Sequence, residues 1–119
     1  TYLWDRLIKT KFVIDNKIDF IPDINIQEDF LFLSKVMLAG AQTANLKKPL
    51  YHYIRLYNDS YNFKITKNQI LQMIKVCKIL RNYISTTYSL ENNKLRFELK
   101  KKTIRLKLAF LKRTIYGKE

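Results

Sequence analysis

Glu28 and Asp29 stand side by side in the stretch Ile24-Asn25-Ile26-Gln27-Glu28-Asp29-Phe30-Leu31-Phe32-Leu33. A carboxylate fixed at the start of a helix can take the proton from a hydroxyl as that hydroxyl attacks an electrophile. The same carboxylate can instead simply stabilise the helix, because the dipole favours an acid in the first turn. Asn25 is suited to cap this helix, and Glu28 lies three residues on, at capping-box spacing. Glu28 is thereby assigned to the cap, and Asp29 is the carboxylate left for chemistry.

The helix that must carry this pair is legible behind it. Phe30, Leu33, Met37 and Leu38 recur on one face, and Gly40 is a natural stop. Upstream, residues 2–8 mix aromatic, aliphatic and charged side chains and are ambiguous between strand and helix. Thr10 can cap a short helix over residues 11–17 that presents Phe12 and Val13 on one side. Ile18-Asp19-Phe20-Ile21-Pro22-Asp23 reads as an extended loop pinned by its alternating apolar residues, since Pro22 turns Ile21 away from helix. Downstream, residues 41–46 and 50–55 read as two strands joined by a turn at Lys47-Lys48-Pro49. Residues 57–62 are polar and read as a loop.

Between Pro49 and Gly117 there is neither Gly nor Pro. Thr66 and Gln69 have capping-box spacing, and Ile70, Met73, Ile74, Cys77, Leu80, Ile84 and Tyr88 then mark one helix face. Ser89 can restart a helix with Glu91 in its first turn. In that last helix Phe97, Ile104, Leu108, Leu111 and Ile115 share one side, while Leu95, Leu99, Leu106 and Phe110 lie nearly opposite. Two apolar stripes allow a helix to pack on its own domain with one and on something else with the other. The alternation Ile104-Arg105-Leu106-Lys107-Leu108 is also compatible with a strand.

Composition narrows the classes. The chain has 119 residues, 47% hydrophobic and 13% aromatic, enough for one core and too apolar for global disorder. One Cys and one His exclude an internal disulfide and cannot form a zinc site alone. No apolar run approaches the roughly 20 residues of a transmembrane helix, and no signal peptide is evident, so a cytoplasmic setting is expected. Four Gly and Pro residues in all, and a start at Thr1, are expected of a segment of a longer protein. Of the net charge of +13, residues 1–63 contribute +1 and residues 64–119 contribute +12. The chain thus has two differently constituted halves.

Four motifs occur in order: Leu3-Trp4-Asp5-Arg6-Leu7, Ile18-Asp19-Phe20 with Pro22, Glu28-Asp29-Phe30-Leu31-Phe32, and Lys48-Pro49-Leu50-Tyr51-His52-Tyr53. Together, over roughly residues 2–60, they resemble the C-terminal half of the catalytic domain of bacterial family 2 glycosyltransferases. The resemblance implies a GT-A fold whose preceding α/β half, with an Asp-x-Asp motif for a divalent metal (Mg or Mn) and the nucleotide-sugar donor, is not in this chain. It implies that Asp29 is the general base of an inverting transfer to a glycan or lipid-linked acceptor in polysaccharide or cell-envelope biosynthesis. It also puts Trp4 and Asp5, with Glu28 beside the base, on the acceptor side. His52 matches a histidine that ligates the metal or contacts the diphosphate, although a histidine hydrogen-bonded within a sheet fits equally. Arg55 can neutralise phosphate charge, or be a solvated surface residue. Departures from the family pattern are Arg6 in place of Lys, Gln27 where Gly often precedes the acidic pair, and Ile21 between Phe20 and Pro22.

The expected architecture is therefore α+β and mostly helical. Residues 1–63 form the acceptor-side part of a GT-A domain, with short helices and a two-strand segment. Residues 64–119 form a basic extension of two long helices. That basic half reads first as a solvated Lys-rich helical pair, then as a peripheral contact with the inner face of a membrane. Nucleic acid comes third, since the aromatics do not line a basic groove. The alternative to a glycosyltransferase fragment, itself expected to be inactive alone, is a non-enzymatic basic helical module binding nucleic acid or a partner protein.

Overall fold

The computed structural model describes residues 3–52, 54, 65–87 and 93–116, and the side chain of Asn93 lies outside that description. Four helices occur in it: α1 (Thr10–Asp15), α2 (Glu28–Leu38), α3 (Lys67–Thr87) and α4 (Asn93–Ile115). The protein is mostly helical, as its sequence leads one to expect.

The two strands are a correction. Residues 41–52 and 54 carry no strand or helix, and no strand occurs among the described residues. Residues 42–52 are all exposed, so their alternation has no core to face. An isolated two-stranded ribbon is marginal in water without a third strand or a packed face. With neither among the described residues, the local pattern does not become a sheet there. Tyr53, Arg55, residues 57–62, Tyr88, Ser89 and Glu91 lie outside the described residues. The strand alternative for residues 104–108 is also overturned, since they continue α4.

α2 is the element that both apolar clusters share. Leu31 joins Ile24, Val76, Cys77, Leu80, Ile84 and Leu99 in the larger cluster. Phe32 and Val36 join Ile18 in the smaller one, against which Leu3, Ile8, Phe12 and Val13 pack. With four of its 11 residues buried, α2 is wedged between the N-terminal segment and the α3–α4 pair. The loop before it is pinned as expected: Ile18 and Ile24 are each 4% exposed, and Phe20 stacks on Phe32 at 4.6 Å.

α3 starts with a reciprocated capping box. Thr66 N–H donates to Gln69 Oε1 at 2.8 Å, and Gln69 N–H donates to Thr66 Oγ1 at 3.2 Å. Its buried face is Ile70, Ile74, Val76, Cys77, Leu80 and Ile84. Val76 widens that face beyond the three- and four-residue steps because α3 packs against α2 and α4 at once. α4 turns one stripe inward, with Leu99 buried and Leu106 packed on the larger cluster. The other stripe stays in solvent. Thr103, at 6% exposure, is buried in that inner face and satisfies its hydroxyl by donating to Leu99 O at 2.8 Å.

Candidate active site

The expected cap of α2 is also a correction. The residue preceding the helix is Gln27, in the left-handed region at φ 62°, and it makes no side-chain capping bond. Asn25 does not cap. Its backbone N–H donates instead to Gln72 Oε1 on α3 at 3.0 Å, a tertiary bond across 47 residues. Glu28 is accordingly the first helical residue rather than the third, so the capping-box role expected of it is absent. The helix ladder opens with Leu31 N–H donating to Gln27 O at 2.9 Å.

Gln27 is held there at a cost. A non-glycine residue at positive φ loses about 1–2 kcal/mol relative to the right-handed region. Lys17 and Asp23 also have positive φ, so the segment entering α2 turns three times through conformations that favour glycine. Gln27 Oε1 is in addition buried with no hydrogen-bond partner. Gly at this position would meet neither cost.

Both carboxylates occupy the first turn of α2 and are partly buried. Asp29 has a definite long-range partner. Its Oδ2 accepts the backbone N–H of Leu3 at 3.2 Å, 26 residues away. Next to that bond Trp4 stacks on Tyr51, with ring centroids 4.4 Å apart and planes inclined by 27°. Such a pair contributes about 0.5–1.5 kcal/mol beyond its buried area. Leu3-Trp4, Asp29 and Tyr51 are thereby linked at the start of α2, although they are far apart in the chain. Trp4 remains 40% exposed and Tyr51 51% exposed, so the stacked pair presents an aromatic surface to solvent.

The other expected site residues are less engaged. Asp5 is exposed and pairs with its neighbour Arg6, whose Nε lies 3.3 Å from Asp5 Oδ1. His52 is exposed and follows Tyr51 in the chain. Among the described residues, no three His, Cys, Asp or Glu side chains are grouped to hold a metal ion. His52 belongs to no such group among the described residues. Arg55 lies outside the described residues.

A cleft of about 380 Å³ runs between α2, α3 and α4, with Phe30, Leu33, Met37, Leu80 and Leu95 in its walls. Ser34 is the sole polar residue among those that line it, so it offers little to a sugar hydroxyl. Sequence reasoning missed two participants: Tyr51 as the partner of Trp4, and the Leu3 amide as the partner of Asp29. The signal for the first was the run Tyr51-His52-Tyr53, rich in aromatics. The second is a backbone group and leaves no mark in the sequence.

No protein-family model, curated protein or solved structure matches the chain.

Proposed function

We propose that the chain is the acceptor-side part of a bacterial family 2-like glycosyltransferase, with Asp29 as general base. The parent enzyme moves a sugar from a nucleotide donor to a hydroxyl of a glycan or lipid-linked acceptor, with inversion. The observation that carries this reading is the linkage around the start of α2. Asp29 engages the Leu3-Trp4-Asp5 motif through the Leu3 amide, and Trp4 stacks on Tyr51 of the Pro49-Leu50-Tyr51-His52 motif. Three of the four motifs on which the family resemblance rests are thus linked in series from the proposed base.

In the reaction the acceptor O–H gives its proton to Asp29 as the oxygen bonds to the anomeric carbon. The bond from that carbon to the diphosphate oxygen breaks, and the electron pair leaves on the nucleotide diphosphate. Oδ2 is committed to the Leu3 amide, which fixes the carboxylate and directs Oδ1 to the hydroxyl. The Trp4–Tyr51 surface suits an apolar sugar face, and Asp5 and Glu28 suit hydroxyl contacts. The nucleotide-sugar donor and any divalent metal belong mainly to the preceding half of the parent, which this chain lacks. The chain alone is therefore inactive, and its parent works in the cytoplasm.

The test is Asp29→Asn in the full-length parent. Asn retains an oxygen to accept the Leu3 N–H but cannot take a proton, so transfer falls by about 10²–10⁴-fold while donor binding is kept. Unchanged transfer would reduce Asp29 to a structural tether. The excess of +12 in residues 64–119 favours a second reading, a basic helical module that binds nucleic acid or protein. Salt-sensitive oligonucleotide binding by the chain would support it.

A further inference from the structure

We propose that the outward stripe of α4 is a docking surface for an anionic lipid bilayer. Phe97, Ile104, Leu108, Leu111 and Ile115 are each between 50% and 72% exposed. At 3.6 residues per turn they fall within an arc of about 60° that runs for about 27 Å along the helix. The opposite face is already used, with Leu99 and Thr103 buried against the rest of the protein.

Charge complementarity names the occupant. Lys94, Lys101, Arg105 and Lys112 border the stripe on one side, and Arg96, Lys100 and Lys107 on the other, all exposed. Glu98 is the one acid of α4, and Lys101 neutralises it at 2.9 Å. The Lys101 ammonium lies over the Phe97 ring, 4.4 Å from its centre. A narrow apolar band between two rows of cations is the arrangement of a helix lying in a bilayer interface: the band enters the acyl boundary and the cations reach the headgroups. None of the described helices is long and apolar enough to cross a membrane, so the contact is lateral.

Other occupants match less well. A second copy would bring like-charged rows together, and nucleic acid has no use for four aliphatic side chains in the middle of the contact. The inference goes beyond sugar transfer and does not depend on it, because vesicle binding is read without any donor or acceptor.

The experiment is co-sedimentation of the intact chain with vesicles of equimolar phosphatidylglycerol and phosphatidylcholine, and with phosphatidylcholine vesicles alone. Partition is expected on the anionic vesicles only, weakening as salt is raised. Leu108→Gln with Leu111→Gln lowers it by at least about tenfold. Lys101→Gln with Lys107→Gln, one from each row, lowers it by about tenfold. Independently, Phe97→Trp acquires a blue-shifted emission on the anionic vesicles, after subtraction of the Trp4 signal of the unaltered chain. This conservative change at an exposed site gives a readout even where the Gln pairs disturb folding. The proposal is overturned by no partition at low salt, or by partition that the folded Leu→Gln pair leaves unchanged. It is equally overturned if vesicles are ignored while the stripe mediates a dimer, binds an oligonucleotide or binds another protein.

Discussion

α2 and α3 begin in opposite ways. The start of α3 is closed on itself, with Thr66 and Gln69 exchanging hydrogen bonds across three residues. The start of α2 has no side-chain cap and enters through a left-handed Gln27. What it has instead is long-range: Asp29 holds the Leu3 amide, and Asn25 is held by Gln72. A start satisfied by its own turn serves only its helix. One left open to distant partners costs local stability and can gather a site, which is where backbone strain is characteristically found.

The largest effect that tests this contrast comes from the core on which both helices rest. Leu80 is 2% exposed on α3, and Leu80→Ala is expected to destabilise the chain by about 2–5 kcal/mol in urea unfolding. Leu108→Ala on the outward stripe of α4 should stay within about 0.5 kcal/mol. Next is the local cap: Thr66→Ala removes one arm of the box and costs about 1 kcal/mol. If it costs nothing, α3 is held by packing alone and the contrast between the two starts weakens. Asp29→Ala should cost about 1 kcal/mol, less than a buried charged hydrogen bond because the carboxylate is only partly buried. The smallest effect has the opposite sign. Gln27→Gly is expected to stabilise by about 0.5 kcal/mol, the relief of the left-handed backbone outweighing the entropy of glycine. A loss of stability there would mean that the Gln27 side chain contributes contacts worth more than its strain.

Much of the helical half was legible because its signals are local. The Thr66–Gln69 spacing located the start of α3, and three- and four-residue steps found five of its six buried residues. Two stripes on α4 were read before either had a partner, and one indeed packs while the other does not. The errors arose where distant parts of the chain overrode a local pattern. Asn25 had the right type and spacing for a cap, yet Gln72 on α3 takes its amide and α2 begins two residues later than that cap implies. Residues 41–46 and 50–55 read as strands, but such a pattern is stable only against a sheet neighbour and a core, and neither occurs for them among the described residues. At the candidate site the sequence offered Asp29, Trp4 and the Tyr51 segment as separate pieces. Their linkage depends on a backbone amide and a ring stack that no spacing rule encodes.

Asp29 joins the Leu3-Trp4 segment to α2 and so brings Trp4 onto Tyr51. Trp4 is the chain's single tryptophan, so its indole resonances are unambiguous. The direct measurement is the nuclear Overhauser effect between the Trp4 indole and the Tyr51 ring in the intact chain, in Asp29→Asn and in Asp29→Ala. Cross-peaks are expected in the intact chain and in Asp29→Asn, which can still accept the Leu3 N–H, and should be lost or strongly weakened in Asp29→Ala. Absence of the cross-peaks from the intact chain, or their full persistence in Asp29→Ala, would contradict the claim.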